Sequence, residues 1–437
     1  MEKVEPKTLA GFMELLPEEQ VIFNHMKDII RESYEKFGFL PLDTPIIEYS
    51  EVLLAKAGGE TEKQIYRFTK GDTDLSLRFD LTVPLAKFVA ENLYNLSYPF
   101  RRYQIGKVFR GERPQKGRYR EFYQCDIDII GDGELSILND AEIPSIIYTT
   151  FKNLGFDNFT IRVNNRKILG GFFAELGYED KISDILRIID KVEKIGTDTV
   201  KEILSEMDIT PENVDRIIDF ISIKGTPSEV ITKLRSLNIS NELFNNGIEE
   251  LEAVSDNVEA FGLPSKNYKI DLTIARGLDY YTGTVYETVL NDYPQIGSVC
   301  SGGRYDNLAE FYTNKKLPGV GISIGLTRLF YQLRQAGLLS EVAKNISKVM
   351  IIPMIPDMKY CIKVATELRN NNINTEIYYN QKSIKGKFNY ANKLAIPFVI
   401  VIGEDEIKNN TLAIKNMATG EQVNVKNDIS EVLKYIR

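Results

Sequence analysis

The spacing of apolar residues changes character along this chain, and that change limits the folds it can adopt. Before about residue 167, strand-like runs alternate with a few helices. From about 168 to 255 the apolar residues recur at i, i+3 and i+4, as in "KISDILRIIDKVEKI", which is the spacing of amphipathic helices. Strand-like segments then return, and a new series of short strands and helices begins near residue 345. The chain therefore combines sheet-forming and helical regions, and it has no internal repeat.

The length of 437 residues is too great for one ordinary hydrophobic core, so two to three domains are expected. We predict an α/β (α+β) fold whose larger domain occupies residues 1–167 and continues at 256–335. A helical insertion over 168–255 interrupts it, and a small mixed α/β domain covers 345–437. That last domain has 13 Lys and Arg against 9 Asp and Glu, in a chain of net charge −8. This contrast weakly indicates a polyanionic partner.

Scarce residue types exclude several kinds of active site. The single histidine, His25, rules out a two-histidine metal site within one chain, and its amphipathic helix, starting near Pro17, favours a surface position. The three cysteines lie far apart, which fits a reducing cytoplasm and argues against disulfides and Cys-rich zinc sites. No apolar run is long enough to cross a bilayer, and the acidic N-terminal residues, which lack an apolar core, argue against a secretory signal. We therefore expect a cytoplasmic protein, and we expect an active site in it to use carboxylates, arginines and tyrosines.

Positive charge is concentrated in the segment "FRGERPQKGRYREFYQ" (109–124) of this acidic chain. The segment is predicted to join two strands through a loop centred on Pro114 and Gly117. Arginine makes bidentate contacts with phosphate and keeps its charge, so a strongly anionic ligand is indicated. In the second strand, alternation places four side chains on one face, as a candidate pocket floor. They are Phe122, Gln124, Asp126 and Asp128. A solvated basic hairpin at a sheet edge is an equally good interpretation of the segment.

Later segments add groups suited to a polar ligand. The segment "RGLDYYTGTVYE" (276–287) combines an arginine with a tyrosine pair beside a predicted turn. Arg328 lies in the first turns of an apolar helix, where it needs a partner. The segment "GSVCSGGRYDNLAEFY" (297–312) is predicted to form a glycine-rich turn that enters a helix. The segment "GVGISIG" (319–325) lacks the spacing of a dinucleotide fingerprint, so its glycines indicate close packing.

Together these motifs resemble those of the class II aminoacyl-tRNA synthetases, specifically the histidyl-tRNA synthetase family. The segment "TPIIEYSEVL" is similar to the strand end of the first class motif, "FRGERPQKGRYREFYQ" to the second and "GVGISIGLTRL" to the third. The segments "RGLDYYTGTVYE" and "SGGRYD" match two stretches peculiar to the histidine-specific members. The resemblance runs from about Lys7 to the end and implies an antiparallel catalytic sheet, an anticodon-binding C-terminal domain and a homodimer.

The resemblance also implies a histidine–tRNA ligase that works in two steps. The carboxylate of L-histidine attacks the α-phosphate of ATP, which gives histidyl-adenylate and pyrophosphate, and histidine then moves to the 3′ end of histidine tRNA. Because the nucleophile is already ionised, positioning and charge neutralisation by arginines and Mg²⁺ suffice. The alternative is an inactive relative, the regulatory subunit of ATP phosphoribosyltransferase, which generally lacks the anticodon-binding domain and loses phosphate-binding arginines.

For ATP, the resemblance implies a role for each of five residues. Arg110 would contact the α-phosphate, and both Arg118 and Arg328 would hold the β/γ end. Glu112 would accept from the adenine amine, and Phe122 would stack on the purine ring. Mg²⁺ is implied as well, but the motifs identify no ligand for it.

The resemblance implies that Arg276 contacts the α-phosphate from the side opposite Arg110 and that both arginines are catalytic. Arg276 also belongs to the histidine subsite. The residues implied to surround the amino acid are Asp80, Thr82, Gln124, Asp128, Arg276, Tyr280, Tyr281 and Tyr305. Many family members have Glu where this chain has Asp80 and Asp128, so altered contacts or a bridging water are expected there. The remaining basic residues of the loop either contact the acceptor stem of tRNA or form a solvated loop; they are Arg113, Lys116 and Arg120.

The C-terminal domain is expected to bind the anticodon of histidine tRNA. Single-stranded bases are recognised through stacking and contacts to their edges. The segment "YYNQKSIKGKFNYANK" (378–393) interleaves Tyr, Phe, Asn and Lys in a way that suits such contacts. A solvated helix and loop is the alternative for any single residue there.

Overall fold

The computed structural model describes residues 3–55, 60–115, 117–189, 191–274, 280–339 and 345–436. Two residues with predicted roles, Lys116 and Arg276, lie outside these ranges. The chain divides into two compact units. One comprises residues 1–13 and 26–337, and the other comprises residues 14–25 and 338–437. The domain boundaries given above stay predictions.

The first part of the chain holds the predicted hairpin of the basic segment. Its elements, in order, are α1 (Pro17–Glu35), β1 (Leu40–Pro41), β2 (Ile47–Tyr49), α2 (Ser50–Leu54), α3 (Glu60–Gln64), β3 (Arg67–Lys70), β4 (Thr73–Leu77), α4 (Thr82–Glu91), β5 (Phe100–Phe109) and β6 (Glu121–Ile130). Proline at the first position of α1 and acids in its first turn suit the positive end of the helix dipole. His25 is exposed on this helix, as predicted.

The middle of the chain contains the helical region and the remaining strands of the first unit. These elements are α5 (Leu138–Asn153), β7 (Phe159–Asn165), α6 (Arg166–Glu175), α7 (Ile182–Ile189), α8 (Val192–Ile195), α9 (Thr197–Ser205), α10 (Pro211–Ile221), α11 (Pro227–Ser236), α12 (Glu242–Val258), β8 (Tyr268–Ile270), β9 (Thr284–Leu290), β10 (Ser298–Tyr305), β11 (Gly319–Gly325) and α13 (Leu326–Gln335). Apolar faces of these helices pack together, with the rings of Phe172 and Phe220 stacked 4.0 Å apart. The predicted helical character of the region is confirmed.

A sheet of eight strands within the described residues forms the centre of the first unit. The strand order is β1-β5-β6-β11-β10-β9-β7-β8, and only the outer pairs β1–β5 and β7–β8 are parallel. Strands β5 and β6 pair without a register shift from Phe100 opposite Ile130 to Phe109 opposite Glu121. Because β6 also pairs with β11, the basic hairpin lies inside the sheet. Its interpretation as an edge hairpin is therefore wrong. A small second sheet has the order β2-β4-β3.

Two local predictions are wrong. The segment 297–312 forms strand β10 instead of a glycine-rich turn, and only a short 3₁₀ turn (Leu308–Phe311) follows it. A side chain at Gly302 would collide with the backbone of Gly321 and Ile322 on the neighbouring strand. Glycine here therefore permits close strand pairing and does not mark a turn. The segment "FLPLDTPIIEYSEVLL" (39–54), whose sequence predicts a strand with a turn, ends instead in helix α2.

The second unit carries the separate α/β sheet predicted from the sequence. Its elements are β12 (Val349–Pro353), α14 (Lys359–Asn370), β13 (Thr375–Ile377), α15 (Ile384–Lys393), β14 (Phe398–Ile402), α16 (Glu404–Asn409), β15 (Thr411–Asn416), β16 (Gln422–Lys426) and α17 (Ile429–Ile436). The strand order is β13-β12-β14-β15-β16, with the first three strands parallel and the last two antiparallel. The predicted overall fold, an antiparallel-dominated sheet followed by a mixed α/β domain, is confirmed. Among the described residues, no helix has both the length and the apolar character needed to cross a membrane.

Candidate active site

A cavity of about 550 Å³ lies on one face of the main sheet. Strands β6, β10 and β11 form much of its lining, and the start of α4, the loop of the basic hairpin, the residues around the start of β9 and the first turn of α13 add to it. Every predicted site residue that the structure describes lines this cavity. These residues are Asp80, Thr82, Arg110, Glu112, Arg118, Phe122, Gln124, Asp128, Tyr280, Tyr281, Tyr305 and Arg328. The predicted face of β6 explains part of this convergence, because the uninterrupted pleat keeps alternate side chains on one side.

Arg110 is held between two aromatic rings at one side of the cavity. Its guanidinium carbon lies 4.3 Å from the ring centre of Phe79 and 5.1 Å from that of Phe122. Its Nε donates to the carbonyl oxygen of Phe79 at 3.2 Å. Burial lowers the pKa of this guanidinium, and the carboxylates Asp80 and Glu112 oppose the decrease. The cation is thus fixed in place and partly desolvated, which strengthens its attraction for an anion.

The loop of the basic hairpin arranges its charges in two ways. Arg118 NH1 lies 3.2 Å from Glu112 Oε2, and the Arg118 side chain is half exposed. Such an exposed pair contributes only about 0–1 kcal/mol, so a ligand can replace it. Arg120 instead stabilises the loop, because its Nε donates to the carbonyl oxygen of Glu112 at 3.1 Å. Arg113 is exposed to solvent.

Arg328 extends from the first turn of α13 into the cavity wall. Its NH2 group donates to the carbonyl oxygen of Ile296 at 2.9 Å. The sequence predicted that an arginine in this apolar helix needs a partner, and this bond supplies one. The side chain therefore has a fixed direction before any ligand binds.

Asp128 is part of a buried charged cluster on the cavity floor. Its Oδ2 lies 2.6 Å from NH2 of Arg102, and its Oδ1 accepts from the hydroxyl of Tyr305 at 2.7 Å. Burial raises the pKa of Asp128 to about 6, although Arg102 and the Tyr305 hydrogen bond oppose the rise. Arg102 also donates to the carbonyl oxygen of Leu81 at 3.2 Å, which connects the floor to the start of α4.

Asp126 and Gln124 complete the floor beside this cluster. Burial raises the pKa of Asp126 to about 7, and Arg102 is the strongest opposing influence. Gln124 Nε2 donates to Ser323 Oγ on the adjacent strand at 2.7 Å. Both side chains line the cavity and are more than nine-tenths buried. The floor therefore carries polar groups that water does not reach freely.

Asp80 fixes the start of α4 and faces the same cavity. Its Oδ1 accepts from the backbone amides of Thr82 at 3.1 Å and Val83 at 2.9 Å. Burial raises the pKa of Asp80, and these two hydrogen bonds oppose the rise.

The ring of Tyr280 lies edge-on to Tyr281 at 5.0 Å and to Tyr305 at 5.8 Å, so the three rings form one aromatic wall.

The whole chain matches one family of known proteins. A family model for histidyl-tRNA synthetase matches residues 11–329, and one for an anticodon binding domain matches residues 348–437. The chain belongs to the histidyl-tRNA synthetase family. Among curated relatives, the histidine–tRNA ligase of Clostridium tetani is 64% identical over 435 residues, covering 99% of this chain and 98% of that protein.

Solved structures give the same family. The histidyl-tRNA synthetase of Nostoc sp. PCC 7120 superposes with a TM-score of 0.91 at 42% identity, with 99% of both chains covered. A Bacillus halodurans structure, described as an ATP phosphoribosyltransferase regulatory subunit/histidyl-tRNA synthetase, has a TM-score of 0.74 at 21% identity and covers 89% of this chain and 97% of its own. At that identity the second likeness shows the fold alone. The predicted class II synthetase fold is confirmed.

Within this histidyl-tRNA synthetase fold, sequence reasoning missed two residues of the floor. Arg102 is fully buried against Asp128, and Ser323 holds Gln124. Arg102 lies opposite Asp128 in the β5–β6 register. The register of this hairpin would have identified Arg102, but the sequence did not fix the centre of the loop to within one residue. Asp126 was predicted to lie on the floor, but no ligand was assigned to it.

Proposed function

We infer that this chain activates L-histidine with ATP to form histidyl-adenylate and pyrophosphate, and then transfers histidine to histidine tRNA. One observation carries this inference. A chain that matches histidine–tRNA ligases over almost its full length brings its predicted ATP and histidine residues into one cavity. The regulatory-subunit alternative is not favoured, because the anticodon-binding domain matches and the phosphate-directed arginines Arg110 and Arg328 are present.

For the ATP side of the cavity, the proposed roles follow from charge and stacking. Arg110 is fixed beside the reacting phosphorus, where its partly desolvated cation stabilises charge that develops on the α-phosphate. Phe122 has Arg110 against one face, so the purine stacks on the other. Arg118 separates from Glu112 when ATP binds, which directs Arg118 to the β/γ phosphates and Glu112 to the adenine amine. Arg328 supports the same phosphate end.

For the histidine side, Asp128 and Tyr305 are proposed to bind the imidazole ring. Their mutual hydrogen bond orients a carboxylate and a hydroxyl at the floor, and Tyr281 closes the aromatic wall. A substrate without ring nitrogens makes no hydrogen bond to the remaining lone pairs of these buried groups, which disfavours its binding. We place the α-ammonium near Asp80, Thr82 and Gln124, and Tyr280 beside them. The substrate carboxylate then faces the phosphate side and needs no general base.

Mg²⁺ is proposed to enter as part of the ATP substrate. The ion prefers phosphate oxygens, water and one or two carboxylates. The wall of the cavity includes a carboxylate with no other proposed role, Glu287, which is suited to this. The charge that Mg²⁺ neutralises on the phosphates adds to that neutralised by the arginines.

The second unit is proposed to bind the anticodon of histidine tRNA. Tyr379 is 67% exposed, and the side chains of Lys382 and Lys385 are exposed beside it. An exposed aromatic ring suits stacking with an unpaired base, and lysines suit phosphates. Arg113 is proposed to contact the acceptor stem, because it is solvent-exposed next to the cavity. Lys116, with the same proposed contact, lies outside the described residues, whereas Arg120 is used within the loop.

We also propose a cytoplasmic homodimer. The small sheet exposes apolar side chains on the first class motif and beside it. Ile47 is 48%, Tyr49 is 59% and Phe68 is 40% exposed. Replacement of Ile47 and Tyr49 by Lys should shift the mass measured by light scattering from that of a dimer to that of a monomer. An unchanged mass would remove this surface from the interface, and cell fractionation tests the location.

The function is tested by exchange of labelled pyrophosphate into ATP, run with each of the twenty amino acids. Among the twenty amino acids, only L-histidine should support exchange, and the exchange should require Mg²⁺. Folded protein that binds histidine but gives no exchange would support the regulatory-subunit alternative instead.

A second test addresses Arg276, which lies outside the described residues. Arg276→Ala should slow exchange by about 10²-fold, as loss of a transition-state donor does, and should leave tRNA binding unchanged. Undiminished exchange would remove Arg276 from the site.

A further inference from the structure

Two buried oxygens on the cavity floor have acceptor capacity that the protein does not use. Gln124 and Asp126 follow each other on the cavity face of β6, and they are 8% and 1% exposed. Among the described residues, Oε1 of Gln124 and Oδ1 of Asp126 have no hydrogen-bond partner. Buried acceptors are rarely left unpaired because desolvation without a partner is costly. Both atoms are thus ready to accept hydrogen bonds from a ligand.

Ser323 orients the amide of Gln124. It lies opposite Asp126 in the β6–β11 register, so the two side chains project from the same face of the sheet. Ser323 Oγ accepts from Nε2 of Gln124 at 2.7 Å. This arrangement turns Oε1 of Gln124 away from Ser323.

The neighbouring carboxylate is engaged in a different way. Asp128 uses both oxygens within the protein, with Arg102 and Tyr305 as partners. Asp80 gives one oxygen to the amides at the start of α4. Asp126 thus differs from Asp128, because one of its oxygens is available for a new donor at the floor.

We propose that Asp126, together with Oε1 of Gln124, binds the α-ammonium of the histidine substrate and that Ser323 positions Gln124. This inference rests on the proposed function and adds a residue to the subsite of Asp80 and Thr82. An ammonium has three donors and no acceptor, so it suits two neighbouring oxygens that accept no hydrogen bond from the described residues. The carboxylate supplies the opposite charge in a partly desolvated place, where such attraction is strong. Asp126 thereby compensates for the short reach of Asp80.

The test compares two imidazole ligands, of which only one has the ammonium. Histidinol keeps the ammonium and has a hydroxyl in place of the carboxylate, whereas imidazolelactate keeps the carboxylate and has a hydroxyl where histidine has the ammonium. We expect Asp126→Asn to weaken histidinol binding by about 10- to 100-fold, the range for a lost charged hydrogen bond, and imidazolelactate binding by less than about 2-fold. The KM for ATP should not change. Calorimetry on the full chain with each ligand gives the affinities.

Asp132→Asn is the matched control, because Asp132 is a half-exposed carboxylate just beyond the end of the same strand. It should change neither affinity. If Asp126→Asn folds poorly, Ser323→Ala gives the same discrimination, with an expected selective loss of about 3- to 10-fold for histidinol, since it removes one neutral hydrogen bond.

The outcomes separate this inference from the proposed function. Equal weakening of both ligands, or weakening of neither, in a variant of an otherwise active protein would overturn the role of Asp126 and leave the function intact. Absence of histidine-dependent exchange in the unmodified protein would overturn the function itself. Selective loss of histidinol binding would support the inference.

Discussion

The two units of this protein bury their central strands in opposite ways. In the second unit, β12 is apolar along its length, and Val349, Ile351 and Ile352 have no exposed surface. In the first unit, β5 and β6 bury Arg102 and Asp126 just as completely. Apolar burial stabilises a fold directly, whereas buried charges lower stability unless they are paired. The difference agrees with the proposed roles, in which the polar strands bind ligands and the apolar sheet supports a surface.

The largest effect is expected from breaking the buried pair of the polar sheet. Arg102→Met should lower the free energy of unfolding of the first unit by about 3–5 kcal/mol, because it leaves Asp128 buried and unpaired. Urea unfolding measures this loss. Arg101→Met is the matched control on the same strand. Its partner Glu142 is partly exposed, so a loss of about 1 kcal/mol is expected.

The double variant Arg102→Met with Asp128→Leu sharpens the comparison, since it makes the floor resemble the apolar sheet. It should regain most of the stability and still lose histidine activation. If the single and double variants had the same free energy of unfolding, an unpaired Asp128 would not be the cause of the lost stability.

The next effect concerns catalysis without a large loss of fold. Arg110→Ala should slow histidine-dependent pyrophosphate exchange by about 10²- to 10³-fold, through loss of charge stabilisation at the α-phosphate. Arg113→Ala, on the same hairpin loop but exposed, should leave exchange within about 2-fold, because it contacts no group of the cavity in the proposed roles. Similar rates for both variants would remove Arg110 from the reaction.

A smaller effect is expected in the pH dependence of stability. Because folding raises the pKa of Asp126 from 3.8 to about 7, the folded state holds the proton more tightly than the unfolded chain. This contribution is fully present below about pH 4 and is lost as the pH rises to about 7, at about 1.4 kcal/mol per unit of pKa difference.

Asp126→Asn lacks this contribution. Its free energy of unfolding, relative to that of the unmodified protein, should therefore increase between pH 4 and pH 7. A pH-independent difference would contradict the raised pKa. Asp128 contributes in the same direction in both proteins, so it cancels in the comparison.

The smallest effect is expected on the surface of the second unit. Replacing Lys382 and Lys385 by Glu should weaken tRNA binding by about 10-fold and reduce its salt dependence, because phosphate contacts are lost. Exchange of pyrophosphate should be unchanged, since both residues lie outside the cavity of the first unit. Equal loss of both activities would contradict a division of labour between the two units.

The sequence predicted one face of β6 because strand alternation is a local property, and the resemblance to a family predicted the other site residues. The face of β6 that carries Phe122, Gln124, Asp126 and Asp128 followed from a period of two residues, and the structure has no bulge there. The pairing of Arg102 with Asp128 did not follow, because it depends on a hairpin register centred on Gln115. A loop centre that is uncertain by one residue places a different side chain opposite Asp128.

Glycines show the same limit. In 297–312 the pair of glycines predicted a turn, yet Gly302 and Gly303 lie inside β10. Gly302 faces the backbone of β11, where a larger side chain would collide. Whether a glycine supplies a turn or a close approach depends on its neighbours in space, and these are distant in sequence.

The sequence by itself predicted the family, the division into sheet-forming and helical regions, the exposed position of His25 and a set of residues that meet in one cavity. These follow from residue type, from local spacing and from motifs that are short in sequence. Only the tertiary structure decided which charges meet, such as Arg102 with Asp128 and Ser323 with Gln124, and which oxygens of the floor stay unpaired. Such pairings depend on the register between strands and on burial, and both are set by contacts between residues far apart in the chain.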